Sequence, residues 1–191
     1  SEEIEVIEVQ HHHAHIAACM AEHALPLQAG PVLGVAMDGL GYGGGGDLWG
    51  GEFLLADYRN YRRLAHFIPV AMPGGVQAMH QPWRNAYAHL RQALGWDWVR
   101  KNFADLQIVR SLESKPLSNL SLMIERGLNS PPASSCGRLF DAVAASLGIC
   151  TECQHFEGQA AMEMESVAAP AFQAQSGNAY PFDLPQAEQE V

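Results

Sequence analysis

Residues 32–70 read VLGVAMDGLGYGGGGDLWGGEFLLADYRNYRRLAHFIPV, and this stretch decides the fold. It holds three apolar runs, VLGVAMDG (32–39), WGGEFLLADY (49–58) and RRLAHFIPV (62–70). A glycine loop separates the first two and a short polar turn the last two, the pattern of an antiparallel meander. Upstream, Ile4 to Val9 alternates as a short strand, and His13 to Leu25 has helical spacing that Pro26 ends. Downstream, MPGG (72–75) is a turn. Helices are expected over 81–95, with Pro82 in the first turn and Gly95 at the end, over 118–127 from a Ser118 cap, over 134–148 and over 157–169. Residues 96–117 are mixed and helical in part. In 134–148, Leu139, Val143 and Leu147 form one apolar stripe. Strands followed by helices predict an α/β domain, a mixed sheet flanked by helices. Residues 1–170 read as one partial domain and 171–191 as a polar, irregular tail.

The chain has 191 residues, 48% of them apolar, with a formal net charge of −10. Its 11 Lys and Arg form no dense run, so a surface for long nucleic acids is disfavoured. No apolar run approaches the roughly 20 residues of a membrane helix. The acidic start is not a signal peptide. Four cysteines are too few for a disulfide scaffold, which favours a reducing cytoplasm. The first residues look like the middle of a domain, so the sequence reads as cut from a longer protein.

Four histidines occupy residues 11–15. On a helix His11 and His15 share one face, where two imidazoles can hold one divalent ion. The glutamate of a zinc protease HExxH motif is missing, since His12 stands there. A surface histidine cluster would look the same in sequence. Two histidines need further ligands, and Asp38, at a strand end before a glycine loop, is the best candidate. An aspartate that merely opens a turn is the common alternative. The loop 38–51 contains eight glycines and can turn several N–H groups toward phosphate oxygens, or be a flexible hairpin. Arg138 and Asp141 have the spacing of a surface ion pair; Asp141 can also bind ribose hydroxyls. Cys150 and Cys153 form a CxxC, a weak sign of zinc or redox chemistry when alone.

Together, VQHHHAHIAACMAEH, MDGLGYG, LWGGEFLLADY, RLAHFIPVAMPGG, QPWR, NSPPASSCGRLFDAVAASLG and FEGQAAMEME resemble the hydrogenase-maturation carbamoyltransferase family, over residues 4 to about 168. The likeness is to part of its C-terminal domain, related to the tRNA threonylcarbamoyl transferases and of the actin/sugar-kinase/Hsp70 type. The resemblance implies that His11, His15 and Asp38 bind a divalent metal, iron or zinc. It implies that Gly39, Gly41 and Gly43 face phosphate, that Asp141 is the ribose ligand and that Gly158 is a close-approach glycine. It further implies that the carbamoyl group of an ATP-derived carbamoyl-adenylate passes to the C-terminal cysteine of a partner maturation protein, for cyanide ligand synthesis in nickel–iron hydrogenases. An O-carbamoyltransferase, a tRNA threonylcarbamoyl transferase and a non-catalytic metal- or nucleotide-binding fragment are the alternatives. Gly45 stands where the family often has an acidic or amide residue, and Val76 where an aspartate is usual. By this resemblance the chain is a first lobe whose second lobe is missing, and inactive alone.

Overall fold

The computed structural model describes residues 6–173. Helix α1 (His11–Glu22) begins two residues before its expected start. Gln10 caps it, its side-chain oxygen accepting from the His13 N–H at 2.8 Å. Residues 6–9 form no strand, and Val6 and Ile7 are exposed; Ile4 and Glu5 lie outside the described residues.

The meander is present as β1 (Val32–Tyr42), β2 (Leu48–Ala56) and β3 (Tyr61–His66), each antiparallel to the one before. β4 (Val70–Ala71) closes the first half of the chain. There follow α2 (Val76–His80), α3 (Pro82–Leu94), α4 (Trp96–Asn102), α5 (Gln107–Glu113), α6 (Leu117–Glu125), β5 (Pro132–Ala133), α7 (Cys136–Ser146) and α8 (Gln159–Gln173). β5 runs parallel to β2 and antiparallel to β4. The sheet is therefore mixed, in the order β1-β2-β5-β4, with β3 beside the far half of β2.

Two more helices differ from the expected caps or ends. Pro116, not Ser118, precedes α6. α8 reaches Gln173, so the first three residues of the expected irregular tail are helical; residues 174–191 lie outside the described part.

α1 packs on the hairpin through Ile16 and Met20, which meet Trp49, Leu54 and Ala56. Gly34 is required there, because a Cβ would run into the Ile16 side chain. His13 latches the far end: buried, its Nε2–H donates to the Asp57 carbonyl at 2.7 Å. A second core joins α3, α4, α5, α6 and α7 through Tyr87, Val99, Val109, Leu112 and Leu120. The apolar stripe of α7 does not enter it. Leu139, Val143 and Leu147 are 38%, 42% and 66% exposed, while Asp141, Ala142 and Ala145 face inward. Alanines and the Arg138–Asp141 pair occupy the buried face of α7, so hydrophobicity alone mispredicts its orientation.

One fully buried charge organises the hairpin. Glu52 accepts from Arg63 Nε at 2.7 Å, from Ser134 Oγ at 2.5 Å and from the Gly50 N–H at 3.2 Å. Burial acts to raise its carboxyl, but the Arg63 and Ser134 hydrogen bonds outweigh it and the group stays below its ordinary range. The Arg63 guanidinium also lies 4.0 Å from the centre of the Trp49 ring.

Candidate metal centre

The α1 face and the interior of β1, which runs on past the expected strand end at Asp38 to Tyr42, bring His11, His15 and Asp38 together. His15 Nε2 is 3.1 Å from His11 Nε2, and His11 Nε2 is 2.9 Å from Asp38 Oδ2. All three offered ligand atoms lie within 4.8 Å of one another. A break of register between Met37 and Gly41 produces this approach. Asp38 sits in that irregularity, which re-aims its side chain toward α1. Its other oxygen, Oδ1, accepts from the Gly39 N–H at 2.6 Å.

The donor set fits a divalent ion. Imidazole and carboxylate ligands bind zinc at about 2.0–2.2 Å in a tetrahedron, so adjacent ligand atoms lie about 3.3–3.6 Å apart. Two edges of the cluster, 3.1 and 2.9 Å, are a few tenths of an ångström shorter than that. Softness is also right, since two imidazoles and one carboxylate suit iron or zinc. Among the described residues no other group of three ligand side chains comes together. Cys150 and Cys153 join no such group; burial, followed by contact with Glu163, pushes the Cys150 thiol up to about 11, opposite to what a reactive thiolate needs.

His12, on the same turn of α1, is completely buried beside this cluster. Its Nδ1 lies 3.0 Å from Gln10 Nε2, and its Nε2 is 3.5 Å from Asp38 Oδ2. Burial lowers its pKa, which keeps the ring neutral. Gly41 must be glycine for the same reason: a Cβ would lie 2.5 Å from His11 Cδ2 and 2.6 Å from His12 Cε1. The signal for His12 was its place among the histidines; its direction depended on where α1 begins.

The glycines expected to face phosphate are drawn into the fold. The Gly39 N–H serves Asp38, and the Gly43 N–H donates to the Asp47 carbonyl at 2.9 Å. Gly43 also lies under the Trp49 ring. The N-terminus of α7 abuts the same part of β1. Gly137 meets the Gly39 Cα, and Ser135 Oγ donates to the Gly39 carbonyl. Ser135 also caps α7 by accepting from the Arg138 N–H. The positive end of a helix thus lies against the backbone beside the Asp38 carboxylate.

Arg138 and Asp141 are not the surface pair expected from spacing. They are 5% and 1% exposed, with Arg138 Nε 2.8 Å from Asp141 Oδ2. Asn85 and Gln154 approach the same carboxyl at 3.5 and 3.4 Å. Burial pushes Asp141 up to about 6 despite the Arg138 charge. Asp141 therefore belongs to a buried network with Arg138, Asn85 and Gln154. Gln154 begins the link back. Glu157, three residues on, would lie 3.1 Å from a Cβ on Gly39. Gly158 follows at φ +79°, with open space where a Cβ would project.

A family model described as "Carbamoyltransferase, Kae1-like Domain, second subdomain" matches residues 34–191, and a "HypF Kae1-like domain" model matches residues 1–22. The chain belongs to the HypF carbamoyltransferase family. The first description names a second subdomain and covers most of the chain. It is 45% identical over 168 residues to carbamoyltransferase HypF of Rhodobacter capsulatus, covering 87% of this chain and 21% of that one. To the probable carbamoyltransferase HypF of Methanocaldococcus jannaschii it is 33% identical over 168 residues. A crystal structure of full-length HypF in the phosphate- and nucleotide-bound form superposes with a TM-score of 0.74 at 41% identity, covering 87% of this chain and 21% of that one. The crystal structure of T.kodakarensis HypF gives 0.73 at 35% identity. The fold is thus the Kae1-like, actin/sugar-kinase/Hsp70 type. The chain spans about a fifth of these full-length relatives.

Proposed function

We propose that this chain is the metal-bearing part of a carbamoyltransferase that takes the carbamoyl group from an ATP-derived carbamoyl-adenylate. The acceptor is the C-terminal cysteine thiol of a partner maturation protein, and the product thiocarbamate feeds cyanide synthesis for nickel–iron hydrogenases in the cytoplasm. The observation that carries this reading is the convergence of His11, His15 and Asp38 on one point, in a chain whose family is that of the HypF carbamoyltransferases.

His11, His15 and Asp38 would hold iron or zinc. Bound there, the ion would supply Lewis acidity toward a carbonyl or phosphate oxygen. The residues of this chain do the rest. Asp38 is held by the Gly39 N–H, so its free oxygen faces the histidines. The N-terminal end of α7 and the backbone of Gly39, Gly41 and Gly43 offer positive dipoles to an anionic leaving group. For Gly39 and Gly43 that requires exchange of the bonds their N–H groups now make. Asp141, on α7 against Gln154, and Gly158, at the end of the 154–158 loop, would serve the nucleoside; contact with ribose requires Gln154 to swing off the carboxyl. No nucleophile is needed from this chain, because the partner supplies the thiolate.

The test joins this region to the rest of its polypeptide and supplies carbamoyl phosphate, ATP and a peptide ending in cysteine. Mass spectrometry should find a carbamoyl adduct on the peptide thiol, abolished by His15→Ala. An adduct of undiminished yield in that variant contradicts the site assignment, and carbamoylation of a small alcohol in place of the thiol contradicts the acceptor.

A further inference from the structure

We infer that His12 is a positioning residue for the metal centre: its Nε2–H holds Asp38 Oδ2 toward the point that His11 and His15 share. The inference rests on the metal reading above and extends it to a side chain outside the ligand set.

The tautomer of His12 follows from Gln10. The Gln10 side-chain oxygen accepts from the His13 N–H at 2.8 Å, and its amide nitrogen donates to the Tyr42 carbonyl at 3.1 Å. Turning the amide over would set oxygen against carbonyl and NH2 against N–H, so its orientation is fixed from both ends. The same NH2 group lies 3.0 Å from His12 Nδ1. Nδ1 must accept, and the ring proton resides on Nε2. That Nε2–H is buried and makes no hydrogen bond among the described residues. The acceptor nearest in charge and place is Asp38 Oδ2, 3.5 Å away. A buried donor left half a bond short of a carboxylate is costly unless that carboxylate moves onto it.

Ligation supplies the reason to move. His11 Nε2 stands at hydrogen-bonding distance from Asp38 Oδ2. Metal binding requires lone pairs on Nε2 of both His11 and His15, so any proton between His11 and Asp38 is lost. His12 then becomes the side-chain donor that remains for Oδ2. Backbone and ring packing keep it in place: Gly41 leaves room for the ring on one side, and the Trp49 ring centre is 5.8 Å away on the other. Orientation of a ligating carboxylate by a hydrogen-bond donor behind it is worth roughly 10–100-fold in metal affinity.

The test compares His12→Asn and His12→Gln with the unaltered chain. Asparagine sets its amide near the position of Nδ1, within reach of Gln10 but short of Asp38; glutamine carries an NH2 to the position of Nε2. Zinc affinity is measured by competition with a chromophoric chelator, cobalt substitution reports the ligand field by visible absorption, and circular dichroism checks the metal-free fold. His12→Asn should bind zinc about 10–100-fold more weakly with an altered cobalt spectrum, and His12→Gln should recover to within roughly threefold of the unaltered chain. Unchanged affinity in His12→Asn overturns the inference, as does equal loss in both variants, which marks a packing role. If His12→Asn does not fold, a tenfold loss in His12→Gln overturns it. Uptake of neither zinc nor cobalt by the unaltered chain removes the metal reading itself, and the inference falls with it.

Discussion

Replacing Glu52 by alanine should lower the unfolding free energy by about 3–5 kcal/mol, the range for removing one partner of a buried ion pair. Glu52 is fully buried, while Arg63 retains about a quarter of its side-chain exposure. Water can reach the stranded guanidinium, so the loss should fall toward the lower end of that range. Alanine also strands the Ser134 hydroxyl and the Gly50 N–H. Glu52→Gln keeps an acceptor for one of these and should cost less. The pH dependence has a definite sign. The folded carboxyl lies below its ordinary value, so its contribution is present above the unfolded pKa and is lost as pH falls through the folded one. Urea unfolding at pH 7 and across the acid range checks both points. A Glu52→Ala protein as stable as the parent at pH 7 would show that the pair only offsets its own desolvation.

His11→Ala and His15→Ala should each weaken metal binding by at least a hundredfold. The bound is set by comparison, since removing a hydrogen-bond partner behind a ligand already costs roughly 10–100-fold. Both side chains are exposed and outside the core, so folding should survive their truncation. In His15→Ala, His11 keeps its contact with Asp38; in His11→Ala, both that contact and the imidazole pair disappear. The second variant should therefore lose at least as much affinity as the first. Chelator competition on the two proteins, with thermal unfolding of the metal-free forms, separates loss of the site from loss of the fold.

Much of this was readable in the sequence because it is local. The i, i+4 spacing of His11 and His15 sets their shared face wherever the helix starts. The three apolar runs and their turns specify the meander, since each pairs with its neighbour in the chain. What escaped is long-range. Whether Asp38 reaches α1 depends on an irregular register between Met37 and Gly41. Glu52 finds Arg63 although Arg63 stands opposite Leu54, across another shift in pairing. The Arg138–Asp141 spacing suits a surface pair on any helix; only the packing of α3 against α7 buries it. For α7, composition misled, because small residues pack inward while Leu139, Val143 and Leu147 face out. Family motifs nevertheless located the region, since they record such long-range pairings as fixed residue identities.

The central claim is that His11, His15 and Asp38 are metal ligands. X-ray absorption at the iron and zinc edges of the anaerobically purified chain tests it most directly. The account predicts a near-stoichiometric edge with imidazole scattering from two histidines, nitrogen and oxygen neighbours near 2.0–2.2 Å, and no sulfur. Sulfur neighbours near 2.3 Å would move the metal to Cys150 and Cys153 and contradict the assignment; an edge unchanged in His11→Ala and His15→Ala would contradict it equally.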